Sequence, residues 1–187
     1  MSCDYAKTSK VVSSTQTGED VDMSPEVKNI EQVIVNFLIW YKNNESKLSK
    51  IQLVNNASGL SYDSTKFYSV NFDETEKYLS AFNASGFVSI DYLNYWRDYF
   101  KKADVDFKKN PENDGPPANF DYDLVMRSQD TEEDLKNADK TKIAETQFTN
   151  NTAITKAKLF SGHTLNFTLT KQQSGWKIDK IENTITR

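Results

Sequence analysis

Hydrophobic positions recur at two different periods along this chain, and the change of period divides it. Val27, Ile30, Ile34, Phe37, Leu38 and Tyr41 return every three or four residues, the spacing that lines up side chains on one face of an α-helix. Ser24-Pro25-Glu26 ahead of them reads as its start. Serine is the N-cap, proline sits where a missing N–H costs nothing, and glutamate faces the positive end of the helix dipole. The pattern predicts a helix to about Lys42, broken by Asn43-Asn44. Ser46 to Val54 reads as a second helix or an irregular packed segment, and Asn55 to Asp63, containing Gly59, as a loop.

Two further helices follow. Asn71 or Asp73 can cap the first, since each has a glutamate three residues on, Glu74 or Glu76. Its buried side should be Phe72, Thr75, Leu79 and Phe82, and Ser85-Gly86 ends it. From Ser89 onward, Ile90, Leu93, Trp96, Phe100, Ala103 and Phe107 keep the helical period, while Tyr92, Tyr95 and Tyr99 form a second stripe beside them. A helix with two adjacent apolar stripes is buried on a broad face or lines a cavity.

After the turn-rich run Asn110 to Asn119 the period becomes two. Phe120, Tyr122, Leu124 and Met126 alternate with Asp121, Asp123, Val125 and Arg127, which predicts a strand with one apolar face. Asp130 to Asp139 is an acidic connection, loop or short helix. Strands are expected at 141–149, 152–160, 163–171 and 175–185, joined through Asn150-Asn151, Ser161-Gly162 and Gln173-Ser174-Gly175 as hairpins. In the last, Trp176 and Ile178 share one face while Ile181 and Ile185 fall on the other, so a bulge near Asp179-Lys180 is expected. Helices first and an antiparallel meander afterwards define an α+β layer, with helices covering one face of a curved sheet. The order excludes a doubly wound fold, and the chain has no glycine-rich phosphate loop.

Composition narrows the picture further. The chain has 187 residues, room for one ordinary domain, and its 11 Phe, 9 Tyr and 3 Trp are too many for a disordered chain. Residues 1–23 read as a flexible tether, rich in Ser, Thr, Lys and Asp, and 24–187 as a single domain. The formal charge is −4 and only Arg97, Arg127 and Arg187 are arginines, which argues against a nucleic-acid partner. Residues 111–139 carry nine acids against Arg127 and Lys136, a net −7; residues 140–187 carry eight bases against three acids, a net +5. An acidic loop and a basic sheet face are expected, both as solvated surface.

Cys3 is the only cysteine, so no disulfide can form within the chain. Its plain reading is a cytoplasmic protein with an exposed thiol, and no apolar signal-peptide core is present. A cysteine heading a polar tether is also what remains when a bacterial lipoprotein loses its signal peptide, which makes Cys3 a candidate lipid attachment point and the only route to a membrane.

Three segments taken together, Val33 to Lys42 (VIVNFLIWYK), Phe120 to Asp130 (FDYDLVMRSQD) and Gly175 to Ile181 (GWKIDKI), resemble a family of NTF2-like bacterial envelope proteins, domain of unknown function 3828. Phe37, Trp40 and Tyr41 match its opening helix. Asp121, Asp123, Gln129 and Asp130 match its Asp-x-Asp stretch with the Gln-Asp that follows, and Trp176, Ile178 and Ile181 its closing strand. The resemblance implies an NTF2-like cone, with N-terminal helices packed on a curved antiparallel sheet. It also implies a place in the cell envelope or periplasm, and it brings no catalytic residues.

The chemistry available is limited. One cysteine in the tether and one histidine, His163, exclude a Cys/His nucleophilic site and a histidine-rich zinc site. Asn110, Glu112, Asp114, Gly115 and Asp121 fall in the register of a calcium loop, but the first and last ligands are the wrong residues and Pro117 interrupts it, so a rigid turn is expected and no metal or cofactor. Asp121 and Asp123 share one strand face; inside a pocket they could work as acid and base in a small hydrolase or isomerase, but their apolar neighbours claim the interior. Trp40, Tyr92, Tyr95, Trp96, Tyr99 and Trp176 carry polar handles; the plainer reading is ordinary core packing with those groups reaching the surface, and the alternative is a partly open pocket that accommodates them for a ligand. The sequence therefore points to a non-catalytic binding or scaffold module taking a small ligand or an envelope protein. A homodimer is the further reading if apolar residues are exposed on strands 152–171.

Overall fold

A computed structural model describes residues 10–12, 24–57 and 66–183 of the chain. Helix α1 (Ser24–Leu48) buries Ile30, Ile34, Phe37, Leu38, Tyr41 and Leu48. It runs through Asn43-Asn44 instead of breaking there. The Asn44 amide donates to the Trp40 carbonyl, 2.8 Å away and one turn back, so the side chain serves the helix ladder instead of competing with it. Buried Leu48 holds the last turn onto the core.

Helix α2 (Phe72–Ser85) is capped by the Asn71 side chain, which accepts from the Glu74 N–H at 3.3 Å. It ends at Gly86, whose φ of +75° closes the left-handed C-cap. Helix α3 (Ile90–Lys109) starts on Ser89 Oγ, which accepts from the N–H groups of Asp91 and Tyr92. Phe72 and Ile90, expected inside, are 44% and 60% exposed. Each is the first residue of its helix, where the Cα–Cβ bond tilts back past the helix end. Tyr78 and Tyr92 take the buried places.

Two sheets are present among the described residues. A short ribbon pairs β2 (Val54–Asn55) with β3 (Ser69–Val70), antiparallel. The main sheet contains β1 (Lys10–Val12), β4 (Lys142–Thr149), β5 (Thr152–Lys158), β6 (Thr164–Gln172) and β7 (Gly175–Asn183), in the order β1-β4-β5-β6-β7. The four strands β4 to β7 form the expected meander, and β1, inside the segment read as a tether, joins parallel to β4. Thr168 pairs with Lys180 and Leu169 with Ile178, so Asp179 is the extra residue of a bulge at the expected place. That one residue brings Trp176, Ile178 and Ile181 onto the same buried face.

The architecture is mixed α+β, but the NTF2-like cone is not what forms. The five strands run in an open order without closure or a cone-like curved sheet. Phe120–Arg127, read as a further strand, is a turn region with a single bridge between Asp123 and Ser128. The connection after it holds α4 (Glu132–Lys136) and a 3₁₀ turn (Ala138–Lys140).

The outer edge of β7 is occupied by the chain itself. Ile178 N–H donates to the Phe87 carbonyl and Ser89 N–H to the Ile178 carbonyl, both at 2.9 Å. The core lies between this sheet and the helices. Phe37, Phe82, Trp96, Phe100 and Phe167 are fully enclosed in it, and each side chain contributes about 1.5–3 kcal/mol by leaving water.

Candidate functional site

The residues after the turn-rich run are organised by one carboxylate. Asp123 Oδ1 accepts from the N–H groups of Val125 at 2.9 Å and Met126 at 2.7 Å, and Oδ2 accepts from the Tyr41 hydroxyl at 2.7 Å. Arg127 N–H returns to the Asp123 carbonyl at 2.8 Å, and Asp123 N–H donates to the Ser128 carbonyl at 3.0 Å. An aspartate that bonds its own backbone in this way favours a turn over a strand. Leu124, Val125 and Met126 are buried and anchor the turn. The chain leaves it at Arg127 with φ +55°, a left-handed conformation that a non-glycine residue adopts only when its surroundings impose it.

Burial raises the Asp123 pKa above the usual carboxylate range. The Met126 N–H, the Tyr41 hydroxyl, the Val125 N–H and the Arg127 charge all oppose the shift. Burial, chiefly, also raises the pKa of the Tyr41, Tyr78 and Tyr92 phenols, so this part of the core is a set of neutral hydroxyls around one carboxylate.

The Arg127 guanidinium lies flat against α3. Its carbon is 4.7 Å from the centre of the Trp96 ring and 5.9 Å from those of Tyr95 and Tyr99, a cation–π stack on the aromatic stripe. Nη2 donates to the Tyr95 hydroxyl at 2.8 Å, and Nε and Nη2 share the Ile181 carbonyl of β7 at 3.3 Å. Nη1 has one contact, to the Tyr122 hydroxyl at 3.4 Å. Among the described residues no carboxylate lies within ion-pair distance of it.

This group opens into a cleft of about 570 Å³ lined by Tyr95, Tyr122, Arg127, Ser128, Gln129, Glu182 and Asn183. Lys180 on β7 sits over the Tyr95 ring at 5.0 Å and pairs with Glu182 at 2.7 Å. The cleft is therefore lined by one cation and one carboxylate, Arg127 and Glu182, by two tyrosine rings and by two amides. A second cleft, of about 400 Å³, lies along Ser49–Val54 against Pro117 and Phe120. It holds one cation, Lys50, and no tyrosine hydroxyl.

Of the six aromatic candidates, Tyr95 lines the first cleft, while Trp96 and Tyr99 lie against Arg127 without lining it. Trp96 is buried under the Arg127 guanidinium, and the Tyr99 hydroxyl lies 3.0 Å from that of Tyr122. Trp40 and Tyr92 pack instead around Phe82, at 5.2 and 5.7 Å between ring centres. Trp176 lies near Phe148, its indole N–H donating to Glu26 at 2.7 Å. The carboxylates Asp121 and Asp123 do not make a dyad: Asp121 is exposed, and both oxygens of Asp123 are committed. The calcium-loop register folds as a rigid turn, with Asp114 and Glu112 accepting backbone N–H groups, and no cluster able to hold a metal occurs among the described residues. His163 follows the Gly162 turn, and Cys3 lies outside the described residues.

Arg127 and Tyr122 are the site residues that sequence reasoning passed over. Their signal was three successive apolar residues, Leu124-Val125-Met126, which break the two-residue period just before one of the chain's few arginines.

Compared with protein-family profiles, with curated proteins and with solved structures, the chain matches none. The resemblance to NTF2-like envelope proteins is therefore withdrawn, as are the lipoprotein and signal-peptide readings. Asp123 and Gln129 serve the local turn instead. Gln129 donates to the Asp121 carbonyl at 3.1 Å, closing the same loop from outside. No helix among the described residues is long and apolar enough to cross a membrane.

Proposed function

We propose that this protein is a non-catalytic binding module that takes a small ligand in the cleft formed by Tyr95, Tyr122 and Arg127. One observation carries the reading: a cation held by the Trp96 ring, the Tyr95 hydroxyl and the Ile181 carbonyl on the wall of an open aromatic cleft, with no carboxylate in ion-pair contact among the described residues. Stabilising interactions alone would favour pairing such a charge, and a rigid, pre-positioned donor is what ligand capture requires. The arrangement of Asp121 and Asp123 favours no second, hydrolytic reading, since Asp121 is exposed and Asp123 is engaged by three donors of the chain itself.

The test is amide NMR on the whole chain with phenol, benzoate and N-acetylglucosamine as probes. Shifts confined to residues 95–99, 120–129 and 180–183 are expected for at least one probe. Shifts only around Ser49–Val54 and Pro117, or none with any probe at 10 mM, roughly the weakest affinity such a cleft would give, overturn the reading.

A further inference from the structure

Resting on that reading, we infer that the ligand is a monoanionic carboxylate, gripped jointly by Arg127 Nη1 and the Tyr95 hydroxyl. The Tyr99 hydroxyl donates its single proton to the Asn119 carbonyl at 2.6 Å. In the Tyr99–Tyr122 pair, 3.0 Å apart, Tyr122 must then be the donor. Tyr122 thus spends its proton on Tyr99 while its oxygen faces Arg127. Tyr95 differs: its oxygen accepts from Arg127 Nη2, and its own proton has no acceptor among the described residues. Arg127 Nη1 carries two N–H groups and makes one long contact, so one of them is likewise unmatched.

Two unmatched donors therefore stand side by side on the cleft wall, one charged and one a phenol, joined through the 2.8 Å bond between Nη2 and the Tyr95 oxygen. A charged donor and a phenol donor on neighbouring residues of one cleft suit an acceptor with two oxygens and no proton of its own. Charge then separates the candidates. Glu182 lines the same cleft and the Asp123 charge already acts on Arg127, so a monoanion meets less repulsion there than a phosphate dianion would. The Tyr95 and Tyr122 rings leave room beside the carboxylate for a flat body such as an aromatic ring or the face of a sugar.

Four probes of similar size separate these possibilities in titrations of the whole chain: benzoate, phenyl phosphate, benzamide and glucuronate, with N-acetyl-alanyl-alanine presenting the same carboxylate from a peptide end. Benzoate or glucuronate should bind at about 1 mM or tighter, with benzamide and phenyl phosphate at least tenfold weaker, and which acid binds best identifies the source. Tyr95→Phe, which removes one donor at the mouth of the cleft, should weaken the carboxylate about tenfold. Arg127→Gln should abolish its binding. If the Arg127 variant does not fold, the Tyr95 variant decides alone. Benzamide or phenyl phosphate binding as tightly as benzoate, or Tyr95→Phe binding unchanged, overturns the carboxylate assignment and leaves the cleft reading standing. Absence of binding by every probe overturns both.

Discussion

Replacing Asp123 by alanine removes the acceptor of three hydrogen bonds at once: those from Val125 N–H, Met126 N–H and the Tyr41 hydroxyl. Tyr41 is 4% exposed and Val125 is fully buried, so neither orphaned donor gains water easily. Each unsatisfied buried donor costs about 1–3 kcal/mol. The space left by the carboxylate admits some solvent, and the ionised parent already bears the cost of its own burial, so the net loss should be about 3 kcal/mol. Tyr41→Phe should cost about 1 kcal/mol, since it deletes donor and proton together. In the double variant the phenol is no longer orphaned, so the two losses should fall short of additivity by about 1 kcal/mol. Urea unfolding followed by tryptophan fluorescence measures all three. A loss below 1 kcal/mol for Asp123→Ala, or strict additivity, would refute the view that this carboxylate organises the turn.

The same group has a pH signature. Burial raises its folded pKa above the unfolded value, so the folded chain holds the proton more tightly. Its contribution to stability is complete below the unfolded pKa and is lost as pH rises through the folded one. Asp123→Asn cannot titrate, so the stability difference between parent and variant should shrink across that window and stay constant above it. A difference that grows with pH there would reverse the sign and sink the argument.

Two further outcomes are expected. Because Arg127 has φ +55°, Arg127→Gly should be more stable than Arg127→Ala by about 1 kcal/mol, read as a shift in the urea midpoint at unchanged slope; an alanine variant as stable as the glycine one contradicts the strain. Lys171 and the Trp176 indole hold the Glu26 pKa below the usual range, so its contribution is present above the unfolded value and lost as pH falls through the folded one. Glu26→Gln should therefore reduce the acid sensitivity of stability, and an unchanged acid limb in a pH series counts against that tie.

Most of the framework was legible because it depends on short-range rules. The caps at Asn71 and Ser89, the left-handed stop at Gly86 and the hairpins of β4 to β7 each follow from residues within a few positions of one another. Even the Asp179 bulge could be read, since two isoleucines out of phase with Trp176 and Ile178 leave no other way to fill one face. The failures come from contacts that sequence distance hides. Asn44 looked like a breaker because its amide competes with the backbone, yet here it bonds the Trp40 carbonyl within its own helix. Phe120 to Arg127 looked like a strand because alternation cannot distinguish a pleated segment from a turn whose apolar residues plunge into a core.

What decides that last case is Tyr41, 82 positions away on α1, whose hydroxyl closes on Asp123. With that bond made, the carboxylate has one oxygen for the helix and one for its own backbone, and the chain must turn. The turn in turn fixes Arg127 against Trp96 and sends its guanidinium toward Tyr95 and Ile181. The cation is therefore placed by the core, not by the surface around it: its geometry is specified by the Trp96 ring and the β7 carbonyl, with no carboxylate in ion-pair contact among the described residues. On the proposed reading, a ligand would meet donors already held in place, so little ordering entropy would be lost on binding. The candidate site and the fold's least predictable turn are consequences of the same hydrogen bond.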